Sequence, residues 1–144
     1  MGFTSKLLLT ADGPVEDYSR KYLAFKLTEA SRKEILGYFK PKYKRIDCDH
    51  ITVAYNITEE IKPLIENLKN ASLEVVGYQY GEGVDCVAVE VNGSTKRPDG
   101  SIYHVTLSVK GGHKPEESSA VLKAQGIQHT LPFSIQGTLE LLDK

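Results

Sequence analysis

A chain of 144 residues, 40% hydrophobic and 26% charged, has the length of one domain and enough apolar content for a core, which excludes a disordered or low-complexity segment. Its formal net charge of -1 excludes an overall basic surface of the kind that holds duplex DNA, so a phosphate ligand needs a local basic pocket. Two cysteines, Cys48 and Cys86, exclude a disulfide scaffold and match no metal-ligand spacing; both are read as reduced, buried thiols.

Residues 1–20 read as an N-terminal extension or strand, strand-like over Phe3–Thr10 and turned at Asp12-Gly13-Pro14, where glycine's freedom and proline's fixed φ favour a bend. The Leu7–Leu9 run is too short for a signal-peptide core, and Lys6 stands where a myristoylation motif needs Ser or Thr after Gly2. No apolar run reaches transmembrane length, so the expectation is a soluble, cytoplasmic protein with no membrane partner. Nothing in the sequence specifies an oligomer.

Tyr22–Leu27 alternates as a strand, and Thr28 is placed to cap a helix over Glu29–Phe39 with Ile35, Leu36 and Phe39 on one face. The basic, proline-containing segment Lys40–Arg45 reads as a loop leading into a β-branched strand over Ile46–Tyr55. Thr58 is expected to cap the next helix, in which Ile61, Leu64, Ile65 and Leu68 recur at helical spacing and Pro63 falls in the first turn. Leu73–Tyr80 and Val84–Val91 form a hairpin across Gly81-Glu82-Gly83. Asn92–Gly100 is a loop, and Ile102–Val109 returns to strand character. Pro115-Glu116-Glu117 opens a short helix with acid at its positive end, GIQHTLP (126–132) reads as a loop, and Phe133–Leu141 is the final strand. Interleaved helices and strands with a hairpin predict a single α+β domain over residues 1–144.

His50-Ile51-Thr52 and His104-Val105-Thr106 repeat one pattern in two strand-like settings. Residues two apart on a strand share a face, so each His and its Thr project together while Ile51 and Val105 face the other way. A lone histidine on a strand is ordinarily a structural residue; the paired copies point to a joint role. Cleaving a phosphodiester requires one proton taken from the attacking water and one given to the leaving oxygen, which two imidazoles do together near neutral pH. Thr52 and Thr106 are then the hydroxyl donors for the charged phosphoryl oxygens.

The stretches Asp49-His50-Ile51-Thr52-Val53-Ala54-Tyr55 and Tyr103-His104-Val105-Thr106-Leu107-Ser108 resemble the two signatures of the 2H phosphoesterase superfamily, a likeness extending from about Tyr22 onward. That resemblance implies a bilobal fold, two antiparallel sheets facing a central groove with helices outside, and a metal-independent, cofactor-free enzyme. Asn92–Lys123 is similar to the cyclic phosphodiesterase domains of tRNA ligase and RNA-repair proteins, which implies a 2',3'-cyclic phosphate or RNA-end substrate opened to a 2'-phosphate. Phage members of the family that degrade cyclic oligonucleotide immune signals have a similar size, which keeps that activity as an alternative. A module that binds nucleotides or RNA ends without turnover is a third.

Further candidates for substrate binding surround the two motifs. Lys42, with Lys44 and Arg45, precedes the first; a solvated basic loop is an equal reading. Lys110, His113 and Lys114 follow the second across Gly111-Gly112 and are candidate donors at a pocket mouth. Tyr22, Tyr55, Tyr80 and Tyr103 can each stack on a base; most read as packing residues, with Tyr103 the best candidate and Tyr55 also assigned to substrate binding. The four histidines show no i, i+4 metal spacing, so no metal is expected, and His129 receives no role.

Overall fold

Buried and less buried positions alternate along His50–Ala54, whereas Val84–Val91 and His104–Val109 are buried on both faces. The structure, a computed structural model, describes residues 19–144. The expected features at Phe3–Thr10 and Asp12–Pro14 lie outside the described residues. The first strand, β1 (Lys21–Leu27), buries Leu23, Phe25 and Leu27. Thr28 then caps α1 (Glu29–Tyr38) by accepting from the Ser31 N–H at 3.2 Å, the interaction expected of a hydroxyl at that position. Ile35 is fully buried, and Leu36 and Phe39 pack against the same core.

The elements that follow are β2 (Arg45–Ile46), β3 (His50–Ala54), α2 (Ile61–Leu68), β4 (Leu73–Tyr80), β5 (Val84–Val91) and β6 (His104–Val109). The chain continues through α3 (Glu117–Gln125), β7 (Gln128–Ile135) and β8 (Gly137–Asp143). Pro63 lies in the first turn of α2 as expected, but Thr58 is not its cap: the helix begins after Glu60, with no side-chain cap. The β4–β5 hairpin has the predicted bounds.

Two antiparallel sheets result, one ordered β3-β1-β8 and the other β2-β6-β5-β4-β7. One core joins them. Leu23, Phe25, Ile51, Val53, Leu139 and Leu141 of the first sheet meet Val75, Val87, Val89, Val105 and Leu107 of the second, with Ile35, Ile61 and Ile65 from α1 and α2. Each such side chain, moved fully out of water, contributes about 1.5–3 kcal/mol. The opposite face of the larger sheet carries a smaller cluster, Val76, Cys86 and Ala88, covered by Leu122 of α3.

Two segments read as single strands are each divided between sheets. The Ile46–Tyr55 stretch splits into β2 and β3, because the chain crosses at Asp47–Asp49 with Cys48 at φ 50, a left-handed conformation that ends one ladder before the next begins. The Phe133–Leu141 stretch divides at Gln136, and β7 extends back to Gln128, so the segment expected as a loop is largely strand. The crossing at Gln136 is tied down on both of its backbone groups: Thr28 N–H donates to the Gln136 carbonyl at 3.1 Å, and Gln136 N–H donates to Ser31 Oγ at 2.7 Å. Among the described residues, no helix is long and apolar enough to cross a membrane.

Candidate active site

The two histidine motifs converge because the crossing segment before the first is hydrogen-bonded to the strand of the second. Asp47 N–H donates to the Leu107 carbonyl at 2.8 Å and Cys48 N–H to the Thr106 carbonyl at 2.7 Å. Leu27 N–H in turn donates to the Asp49 carbonyl at 3.0 Å. Cys48 is fully buried, so the crossing is anchored on both sides two residues ahead of His50.

Strand alternation then sorts the side chains. Ile51 and Val105 point into the core, both fully buried, while His50, Thr52, His104 and Thr106 line one cavity of about 540 Å³. Tyr22, Asp47, Tyr55 and Arg97 line it as well, with Pro115, Glu116 and Ser119 from the start of α3, and Asp143 and Lys144.

Both imidazoles are held through Nδ1. His104 Nδ1 lies 2.8 Å from the Ile102 carbonyl, an acceptor only, so this nitrogen carries the hydrogen and Nε2 carries the lone pair of the neutral ring. His50 Nδ1 lies 3.2 Å from an Asp49 carboxylate oxygen, which likewise requires a hydrogen on Nδ1. The His50 Nε2 is 3.3 Å from the Tyr22 hydroxyl, and the two rings meet edge-on with centroids 5.5 Å apart.

Their surroundings differ in charge. His104 is 9% exposed, and its pKa is pushed down to about 4, chiefly by burial, with the Arg97 and His50 charges acting in the same direction. Its resting form is therefore the uncharged ring. His50 stands among carboxylates. Burial works to raise the Asp49 pKa, but hydrogen bonds from Lys26 and His50 hold that carboxyl below its usual range. Burial raises Asp47 above its own, against the pull of His50. Tyr22 is pushed up to about 12 by burial and by Asp49 and Asp47, so its hydroxyl stays protonated.

The threonines differ too. Among the described residues, the Thr52 hydroxyl has no hydrogen-bond partner, whereas Thr106 Oγ1 is 3.1 Å from the Pro115 carbonyl and 2.8 Å from Ser118 Oγ. Thr106 thus fastens β6 to the start of α3. At the rim, Tyr55 is 53% exposed, lies beside Tyr22 with centroids 5.7 Å apart, and carries the Lys144 ammonium 4.5 Å above its ring.

Other sequence-selected residues lie elsewhere. Tyr103 is 4% exposed and packs in the main core, since the alternation that turns His104 to the cavity turns its neighbour away. Lys42 lines a different cavity, its ammonium 3.8 Å above the Tyr80 ring. His113 pairs with Glu117 at 2.8 Å and lies against Gly83, where a Cβ would meet its Nδ1 at 2.0 Å. Lys110 and Lys114 are exposed and absent from the lining of the histidine cavity. Conversely, Arg97 and Asp47 were not singled out from sequence. Arg97 sits inside a turn of ordinary loop composition, and Asp47 reads as a strand residue until the crossing is known.

Among the described residues, no group of three or more His, Cys, Asp or Glu side chains is disposed to hold a metal ion. No family model, curated protein or solved structure matches this chain.

Proposed function

We propose that this chain is a metal-independent phosphodiesterase of the 2H type, hydrolysing a 2',3'-cyclic phosphate or a related nucleotide or RNA-end phosphodiester. One observation carries the reading: His50 and His104, on matching His-x-Thr strands of different sheets, line one cavity with Nδ1 of each ring held by an acceptor. Nε2 is then the proton-exchanging atom in both. With this reading goes the finer architecture of two lobes, one per sheet, flanking a central groove.

The charge asymmetry supports a division of labour. His104, neutral at rest, takes a proton from water through Nε2. The water oxygen bonds to phosphorus, the bond from phosphorus to one ribose oxygen breaks, and His50 Nε2 delivers a proton to that departing oxygen. The Asp49 carboxylate at Nδ1 balances the imidazolium charge that His50 carries before transfer. A cavity of about 540 Å³ falls in the range of small-ligand sites, and the exposed Tyr55 ring offers a face to a nucleobase.

A panel of 2',3'-cyclic mononucleotides, RNA with cyclic ends and cyclic di- and trinucleotides, incubated with EDTA present and separated by chromatography, tests the reading. Ring-opened mononucleotide or RNA-end product is the expected result. Exclusive turnover of cyclic oligonucleotides would instead identify a nuclease of such signals, and binding without product would identify a non-catalytic module.

A further inference from the structure

Arg97 lies in the loop between β5 and β6, in a turn tied at several points. Its N–H donates to the Ser101 carbonyl at 2.7 Å, its carbonyl accepts from Gly100 at 2.9 Å, and Ser101 N–H donates to Asp99 Oδ1 at 2.9 Å. The backbone that carries the guanidinium is therefore fixed. The side chain is only 9% exposed and lines the histidine cavity.

A guanidinium keeps its charge at any working pH and presents five N–H donors. Among the described residues, its side-chain partner is Asp99, with Nη2 2.6 Å from Oδ2, while Nε is buried with no hydrogen-bond partner. Charge on a side chain this buried costs free energy unless anionic acceptors meet it. An anion with several oxygens does so.

Thr106, the residue that the His-x-Thr pattern offers as phosphate donor on this side, has its hydroxyl committed. It owns one hydrogen. The Pro115 carbonyl can only accept, so the Thr106 hydrogen goes there and Ser118 donates to the Thr106 oxygen, closing a chain inside the protein. Thr52 is not so engaged.

We propose that Arg97, rather than Thr106, is the phosphate-binding residue on the His104 side of the cavity, forming an anion subsite for the phosphoryl oxygens opposite Thr52. This rests on the phosphodiester reading above and gives its two halves different donors: a hydroxyl beside His50 and a guanidinium beside His104. The placement serves the base as well, since a fixed cation near His104 adds to burial in disfavouring a second proton on its ring.

Inorganic phosphate is the probe, titrated calorimetrically into the full chain and into Arg97→Gln and Thr106→Val, with kcat/KM measured in parallel on a 2',3'-cyclic mononucleotide. Arg97→Gln is expected to weaken phosphate binding at least about tenfold and to lower kcat/KM by roughly 10²–10³. Thr106→Val is expected to keep phosphate affinity within about threefold while melting earlier. In the wild-type chain, the Arg97 Nε–H resonance is expected to shift with phosphate along the calorimetric isotherm, a readout that needs no variant to fold. Unchanged phosphate affinity in Arg97→Gln, a stationary Arg97 resonance, or a Thr106→Val loss equal to that of Arg97→Gln would overturn the subsite. Phosphate binding that depends on Arg97 in a protein that turns over no phosphodiester would uphold the subsite and overturn the enzymatic reading alone.

Discussion

His104 donates its Nδ1–H to the Ile102 carbonyl two residues earlier on the same chain, at 2.8 Å, and this fixes Nε2 as the basic atom of a ring that burial keeps neutral. The pH dependence of stability follows. With a folded pKa of about 4 against an ordinary 6.5, the unfolded chain binds a proton at His104 in that interval that the folded chain does not. Stability therefore falls as pH is lowered from 6.5 to 4, by up to about 3 kcal/mol from this group. Urea unfolding of wild type and His104→Asn at pH 7 and pH 4 checks it: the variant gains on the wild type by about that amount at the lower pH. A stability gap that does not vary with pH contradicts the assignment.

Asp49 faces His50 Nδ1 on one side and Lys26 on the other, with its side chain 39% exposed. Asp49→Asn keeps the shape and removes the carboxylate charge that the proposed mechanism sets against His50. A fall in kcat of about 10–100-fold is expected, with stability within about 0.5 kcal/mol of wild type. Steady-state kinetics and a thermal melt on the same preparation separate the two effects, and an unchanged kcat would remove Asp49 from the mechanism.

Tyr55 at the rim and Tyr103 in the core make a controlled pair. Loss of a stacked ring in Tyr55→Ala should raise KM by about 5–100-fold with kcat within a few-fold. Tyr103→Leu, which also removes a ring, should leave both constants near wild type in the protein that stays folded, since Tyr103 packs in the core and does not line the cavity. Sensitivity at Tyr103 with indifference at Tyr55 would reverse the picture of where the base sits.

Ile46 and Ile51 look alike in sequence, yet Ile46 is 40% exposed and Ile51 fully buried. Ile51→Ala is expected to cost about 2–5 kcal/mol and Ile46→Ala about 0.5 kcal/mol or less, read by urea denaturation. Equal costs would mean that the strand is not divided as described.

That division marks the boundary of what local pattern reveals. The hairpin strands Leu73–Tyr80 and Val84–Val91 were legible because β-branched residues flank a turn carrying Gly81 and Gly83, and the Thr28 cap because a hydroxyl directly before a periodic run can accept from the first turn, though the same sign at Thr58 marks no cap. The crossings at Cys48 and Gln136 were not, since β propensity reports an extended backbone and says nothing of which sheet receives it. At the site, period-two alternation correctly paired each histidine with its threonine, and the same rule places Tyr103 away from His104. Arg97 was hidden for a different reason. A loop of Lys, Arg, Pro, Asp and Gly is what any solvated turn contains, and only its tertiary setting buries the guanidinium.

The most direct test of a two-imidazole phosphodiesterase is turnover of its best cyclic phosphate substrate by His50→Ala, His104→Ala and the double variant, with folding followed by circular dichroism. Each single variant should lose about 10²–10⁴ in kcat and stay folded, and the double variant should be little worse than the poorer single. Near-wild-type turnover in either single variant would contradict the account.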